Sequence, residues 1–161
     1  MLNTALQVLS KDGAIADNTY QIIAEDGVLP QGDVLLTVEQ LDQIANVTGK
    51  KALFITVDTS PEVNQFPLDQ FDAIFIDFAG FNDGRGYSFA ALLRRQGYQG
   101  ELRATGDVFK DVLSYMKRSG FDTCVIKEGK DIAEAAAGLN DFRNPYQAST
   151  AVAKAHYQTG A

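Results

Sequence analysis

Short apolar strands alternating with short helices predict a single α/β domain. The predicted core is a sheet of about five strands, mainly parallel and open or half-barrel-like, with an N-terminal β-hairpin beside it. Three observations carry this. The chain has 161 residues, 45% hydrophobic and 22% charged, as in an ordinary globular domain. A weak repeat recurs about every 24 residues: Gly97-Tyr98 returns as Gly120-Phe121, and Asp107-Val108 as Asp131-Ile132. The strands, best seen in 71–78, are nearly continuous apolar runs, which suits strands buried on both faces. A complete eight-unit barrel needs roughly 200 residues or more, which this chain lacks.

The elements follow in order. Apolar residues 6–9 and 14–15 flank Lys11-Asp12-Gly13, and a DG pair between such runs predicts a hairpin. Residues 20–24 read as a further strand, and 25–33, with Gly27, Pro30 and Gly32, as a loop. Strands are expected at 34–38, 53–57, 73–78, 101–105 and 123–127. Leu41, Ile44 and Ala45 share one side of a short helix over 39–47, stopped by Gly49. Pro61 suits a first helical position, and Pro67 confines any helix there to about one turn. The next helix spans 88–96, with Ser88 as its N-cap, Arg94 and Arg95 in its last turn and Gly97 after it. Asp107 caps a helix carrying Val108, Val112, Tyr115 and Met116, the last two read as core. An Ala-rich helix is expected over 131–139. The domain is expected to span 1–143 and a tail 144–161.

Composition excludes several chemistries. Cys124 is the only cysteine and His156 the only histidine, so zinc fingers, Fe–S clusters held by this chain alone and CxxC pairs are ruled out. Cys124 reads as a small core residue, and His156 lies in a polar tail that suits a catalytic base poorly. Met1 to Leu9 carries no cation, and no apolar stretch approaches a membrane span, so a cytoplasmic protein with no membrane partner is expected.

Net charge is −7 and unevenly spread. Residues 1–84 hold 13 acids and 3 bases, whereas residues 85–118 hold 7 bases and 3 acids. The basic middle reads either as solvated helix faces or as a functional patch. Nucleic acid is not an expected partner, because the whole-chain field repels phosphate and no basic run is interleaved with stacking aromatics.

Ligands of open α/β sheets usually sit at the carboxyl ends of the strands. There, Asp83-Gly84-Arg85-Gly86-Tyr87 runs into the helix behind Ser88. A glycine-rich turn before a helix start is a candidate oxyanion cradle of backbone donors. Gly84, Arg85, Gly86 and Ser88 are its candidate residues, with Arg103 on the next strand as a second counter-charge. Asp83 and Asp107 are assigned supporting roles, Asp83 by orienting an arginine. Against this stands a plain tight turn with a surface arginine. Position 89 is Phe, so the segment is not GxGxxG, and no GK[ST] follows, so it is not a P-loop. No cofactor and no metal site is expected, Asp77 and Asp107 being at most a weak pair.

The stretch Phe81-Asn82-Asp83-Gly84-Arg85-Gly86-Tyr87-Ser88, with Gly100-Glu101-Leu102-Arg103-Ala104-Thr105-Gly106-Asp107-Val108 and Lys117-Arg118-Ser119-Gly120-Phe121-Asp122, resembles an uncharacterised bacterial family. Genes of that family often sit beside sulfite reductase, and its members are labelled oxidoreductases involved in sulfite reduction. Ser119 stands where many relatives carry Cys, and Val112 where they carry Gln. The resemblance assigns no catalytic residue. It implies an accessory protein of bacterial assimilatory sulfite reduction, partnered by sulfite reductase or another sulfur-assimilation enzyme. The alternative from the residues themselves is a small oxyanion-binding enzyme or sensor using the Gly84-Arg85-Gly86 loop. The residues leave catalysis open.

Overall fold

A computed structural model describes residues 7–25, 27–59, 66–141, 146–150, 153–154 and 158. The expected helix start at Pro61, the boundary at 143 and His156 lie outside the described residues.

The domain is α/β, built on one mixed sheet of eight strands rather than five mainly parallel ones. In chain order they are β1 (Gln7–Ser10), β2 (Ile15–Asp17), β3 (Gln21–Ile22), β4 (Val34–Thr37), β5 (Lys51–Thr56), β6 (Ala73–Phe78), β7 (Glu101–Gly106) and β8 (Thr123–Cys124). Their order across the sheet is β2-β1-β8-β7-β6-β5-β4-β3. The run from β3 to β8 is parallel throughout, and the hairpin β1–β2 joins antiparallel through β8. The hairpin is therefore part of the sheet and not an accessory. Leu9 pairs with Cys124, and the Lys11 amide donates to the Asp122 carbonyl.

The two outermost strands, β2 and β3, are separated in sequence only by Asn18, Thr19 and Tyr20. Seven flat strand spacings would put them about 34 Å apart. Four Cα–Cα steps reach at most about 15 Å. The sheet must therefore curl until its edges nearly meet, giving a half-barrel open along that seam.

Strand alternation then separates two apolar layers. Ile74, Ile76, Phe78, Leu102 and Ala104 face the helices α1 (Arg85–Arg95), α2 (Leu113–Ser119) and α3 (Ile132–Ala136). The concave side holds Leu35, Ala52, Ala73 and Phe75, sealed by Tyr20 from the seam. Tyr20 meets Phe75 edge-on at 5.4 Å.

The repeat has a structural counterpart. Gly97 (φ +93) and Gly120 (φ +106) both end helices in the left-handed conformation that L side chains resist. Each is followed by a buried aromatic, Tyr98 or Phe121.

Some local expectations change. Residues Val38–Asn46 form a 3₁₀ helix, opened where the Thr37 amide donates to Gln40 Oε1. The last strand is only two residues long: the Val125 amide still bonds to Ala104 on β7, but the Lys127 amide bonds to Val108, past the end of β7. Asp107 does not cap a helix. It accepts from the Phe81 amide and from Lys127 Nζ, and α2 starts only at Leu113. The Ala-rich helix is instead the one with an aspartate cap, Asp131 accepting from the Glu134 amide at 2.7 Å. Met116 is core, but Tyr115 is 55% exposed and lies against Tyr87.

Candidate functional site

The carboxyl edge forms around the start of α1. That helix begins three residues earlier than the sequence suggests, with Gly84 at its N-cap (φ −71) rather than Ser88. Asp83 explains the shift. Its Oδ1 accepts the Arg85 amide at 3.1 Å, satisfying a helix-start donor from one residue outside the cap. Ser88 is already helical, and its Oγ reaches back to the Gly84 carbonyl. Gly86 is helical too. A Cβ there would lie 2.5 Å from the ring of Phe78, so this glycine serves close packing and not a positive φ.

Arg85 is held by two carboxylates. Asp83 takes Nε and Nη2 (2.7 Å for the latter), and Asp58, just past β5, takes Nη1 at 2.9 Å. Hydrogen bonds from Arg85 hold the Asp83 carboxyl below the usual carboxylate range, and Asp83 and Asp58 together raise the Arg85 pKa further. Asp83 therefore occupies the helix start, where an oxyanion was expected. Beside this trio opens a cavity of about 710 Å³, with Val57, Phe89 and Leu92 among its walls and Thr59 and Ser88 at its polar side.

Arg103 does not belong to this edge. It is 5% exposed, at mid-strand on the concave side. Its Nε donates to Glu101 and Thr123, its Nη1 to Asn18 Oδ1 at 2.7 Å, and its guanidinium lies 4.5 Å from the Phe75 ring centre. The β7 register explains the error. Arg103 and Thr105 share a face, but only Thr105 is near the strand end, where its hydroxyl donates to Asp77. Arg103 ties the centre of the sheet to the seam segment.

The opposite, amino edge holds a groove of about 510 Å³ that the sequence reading did not single out. It is lined by Lys11, Arg94, Arg95 and Lys117, against one carboxylate, Asp122. Arg94 spends four of its five N–H groups: it donates to the carbonyls of Gly120, Tyr98 and Gly100 and pairs with Asp122. Lys11 also reaches Asp122, at 2.8 Å. Arg95 and Lys117 have no ion-pair partner among the described residues. A signal for this groove was available. The repeat aligns Arg94-Arg95 before Gly97 with Lys117-Arg118 before Gly120, so parallel topology brings both basic helix ends to one edge.

Cys124 is buried, and burial pushes its thiol up to about 12 against a smaller opposing pull from Arg103. That is an inert thiol and not a nucleophile. Among the described residues, no group of three or more His, Cys, Asp or Glu side chains could hold a metal ion, and no helix is long and apolar enough to cross a membrane.

A family described as "Bacterial protein of unknown function (DUF934)" matches residues 52–157. That span covers most of the chain, including the carboxyl-edge cavity and the amino-edge groove apart from Lys11, and the chain belongs to this family. No curated protein and no solved structure matches it.

Proposed function

We propose that this member of the bacterial family is an accessory protein of assimilatory sulfite reduction, which docks on sulfite reductase or another sulfur-assimilation enzyme through its amino-edge groove. The sulfur assignment is supported by the resemblance of the segments between residues 81 and 122. The docking role is supported by one observation above all: a groove with four cations and one carboxylate, set in a chain of net charge −7. Two of those cations, Arg95 and Lys117, pair with no carboxylate among the described residues. The carbonyl ends of α1 and α2 offset part of this charge, but Arg94 already takes the carbonyls of Gly120 and Tyr98. The complement is an acidic surface, and exposed charges of this kind act mainly on encounter rate and orientation. A docking role also agrees with the inert thiol of Cys124.

Oxyanion capture at Gly84-Arg85-Gly86 is the second reading. The place of Arg85 beside a cavity at the start of α1 favours it, and the two carboxylates on Arg85 oppose it.

Gene deletion in a bacterial host tests the role. The deleted strain is expected to fail on sulfate and on sulfite as sole sulfur source and to grow on sulfide or cysteine. Normal growth on sulfite removes the sulfur assignment.

A further inference from the structure

We propose that the carboxyl-edge cavity binds a small molecule with an apolar body and a cationic amine, the amine resting on Asp58. This is the opposite charge preference to the oxyanion reading, and it does not depend on the docking role.

The cavity has the volume of a small-molecule site, and Val57, Phe89 and Leu92 give it apolar walls. Its charge follows from counting spent valences. Asp83 is only 19% exposed, and both its oxygens face Arg85. Arg85 spends Nε and Nη2 on Asp83 and one Nη1 proton on Asp58. Asp58 uses only Oδ1, and its side chain is 82% exposed. Oδ2 of Asp58 has no partner among the described residues. The trio thus carries a net charge of −1: Arg85 keeps one unspent proton on each of Nη1 and Nη2, and Asp58 keeps an unpartnered acceptor at the mouth of an apolar cavity. An entering carboxylate reaches the two unspent Arg85 protons only against the like charges of Asp83 and Asp58. An entering ammonium meets a free carboxylate oxygen with the Thr59 and Ser88 hydroxyls nearby.

The test is calorimetric titration of hexylammonium, hexanoate and sulfite into the full chain and into Asp58→Asn. An exposed like or opposite charge changes affinity by up to about fivefold, so exchanging amine for carboxylate should shift it about tenfold in favour of the amine. Asp58→Asn should keep its fold, because the side chain is on the surface, and should abolish most of that preference. Leu92→Gln should weaken hexylammonium and hexanoate alike, placing the alkyl chain in the cavity. Three results overturn the proposal: no binding of hexylammonium at millimolar concentration, hexanoate or sulfite binding more tightly than hexylammonium, or an unchanged preference in Asp58→Asn.

Discussion

The two edges of the parallel strands carry cations in opposite conditions. At the carboxyl edge, Arg85 lies between Asp83 and Asp58, and the local sum is negative. At the amino edge, Lys11 and Arg94 share Asp122, while Arg95 and Lys117 are left over. Position in an α/β sheet therefore does not by itself assign an anion site. What decides is whether the protein's own carboxylates have already spent the charge. A third arginine sharpens the contrast. Arg103, inside the curved sheet, is engaged by Glu101, Thr123 and Asn18 and stacks on Phe75, a structural role buried away from solvent.

The largest effect expected from this contrast is at Arg103. Arg103→Ala strands a part-buried Glu101 and unties Asn18 from β7, which should cost about 3 kcal/mol in urea unfolding. A loss too small to measure would mean that the seam is not held through this side chain. Next is Gly86→Val, expected to destabilise by about 2 kcal/mol through overpacking, because Phe78 is wedged between Tyr87 and Phe121 and cannot yield. Thermal melts would check this, and wild-type stability would show that α1 can lift from β6.

Asp122 tests the amino edge by pH. Burial alone would raise its pKa, but the hydrogen bonds from Lys11 and the Leu102 amide and the charges of Arg94 and Lys11 outweigh it, leaving the pKa lowered. A carboxyl that is more acidic when folded adds stability above its unfolded pKa of about 3.9 and loses it as pH falls through the folded value. Wild type should therefore lose stability below about pH 4. Asp122→Asn should be about 1 kcal/mol less stable at neutral pH and show a shallower decline in acid. An equally steep decline in both proteins would place the acid sensitivity elsewhere. The smallest effect is at Arg85: its partners are exposed, so Arg85→Ala should unfold at nearly the wild-type denaturant concentration.

The parallel core was legible because β5 and β6 are nearly continuous apolar runs and because Gly97 and Gly120 punctuate a repeat. The sheet's size was not. The strands β2 and β3 are three and two residues long, and their places at opposite edges depend on curvature that no local pattern encodes. The Asp83-Gly84-Arg85 segment was correctly seen as a helix entrance, and the pairing of Asp83 with an arginine was anticipated. The part played by Asp58 was not legible, because it lies 27 residues from Arg85 in sequence. Arg103 was misplaced by strand register: a residue in mid-strand on the concave side cannot serve the edge. The amino-edge groove was present in the sequence as two basic helix ends, but it becomes one feature only when the strands are parallel and adjacent.

The central claim is that Arg95 and Lys117 dock an acidic partner. It is tested by co-purifying the tagged full chain from sulfate-grown cells, as wild type and as Arg95→Glu/Lys117→Glu. The surface changes should leave the melting curve within about 0.5 kcal/mol of wild type. Sulfite reductase or another sulfur-assimilation enzyme should accompany the wild type at low salt. It should be lost near 0.5 M salt, where screening shrinks to roughly 4 Å, and be absent at any salt from the charge-reversed protein. Retention of that enzyme by the reversed protein, or capture that does not respond to salt, would contradict the account.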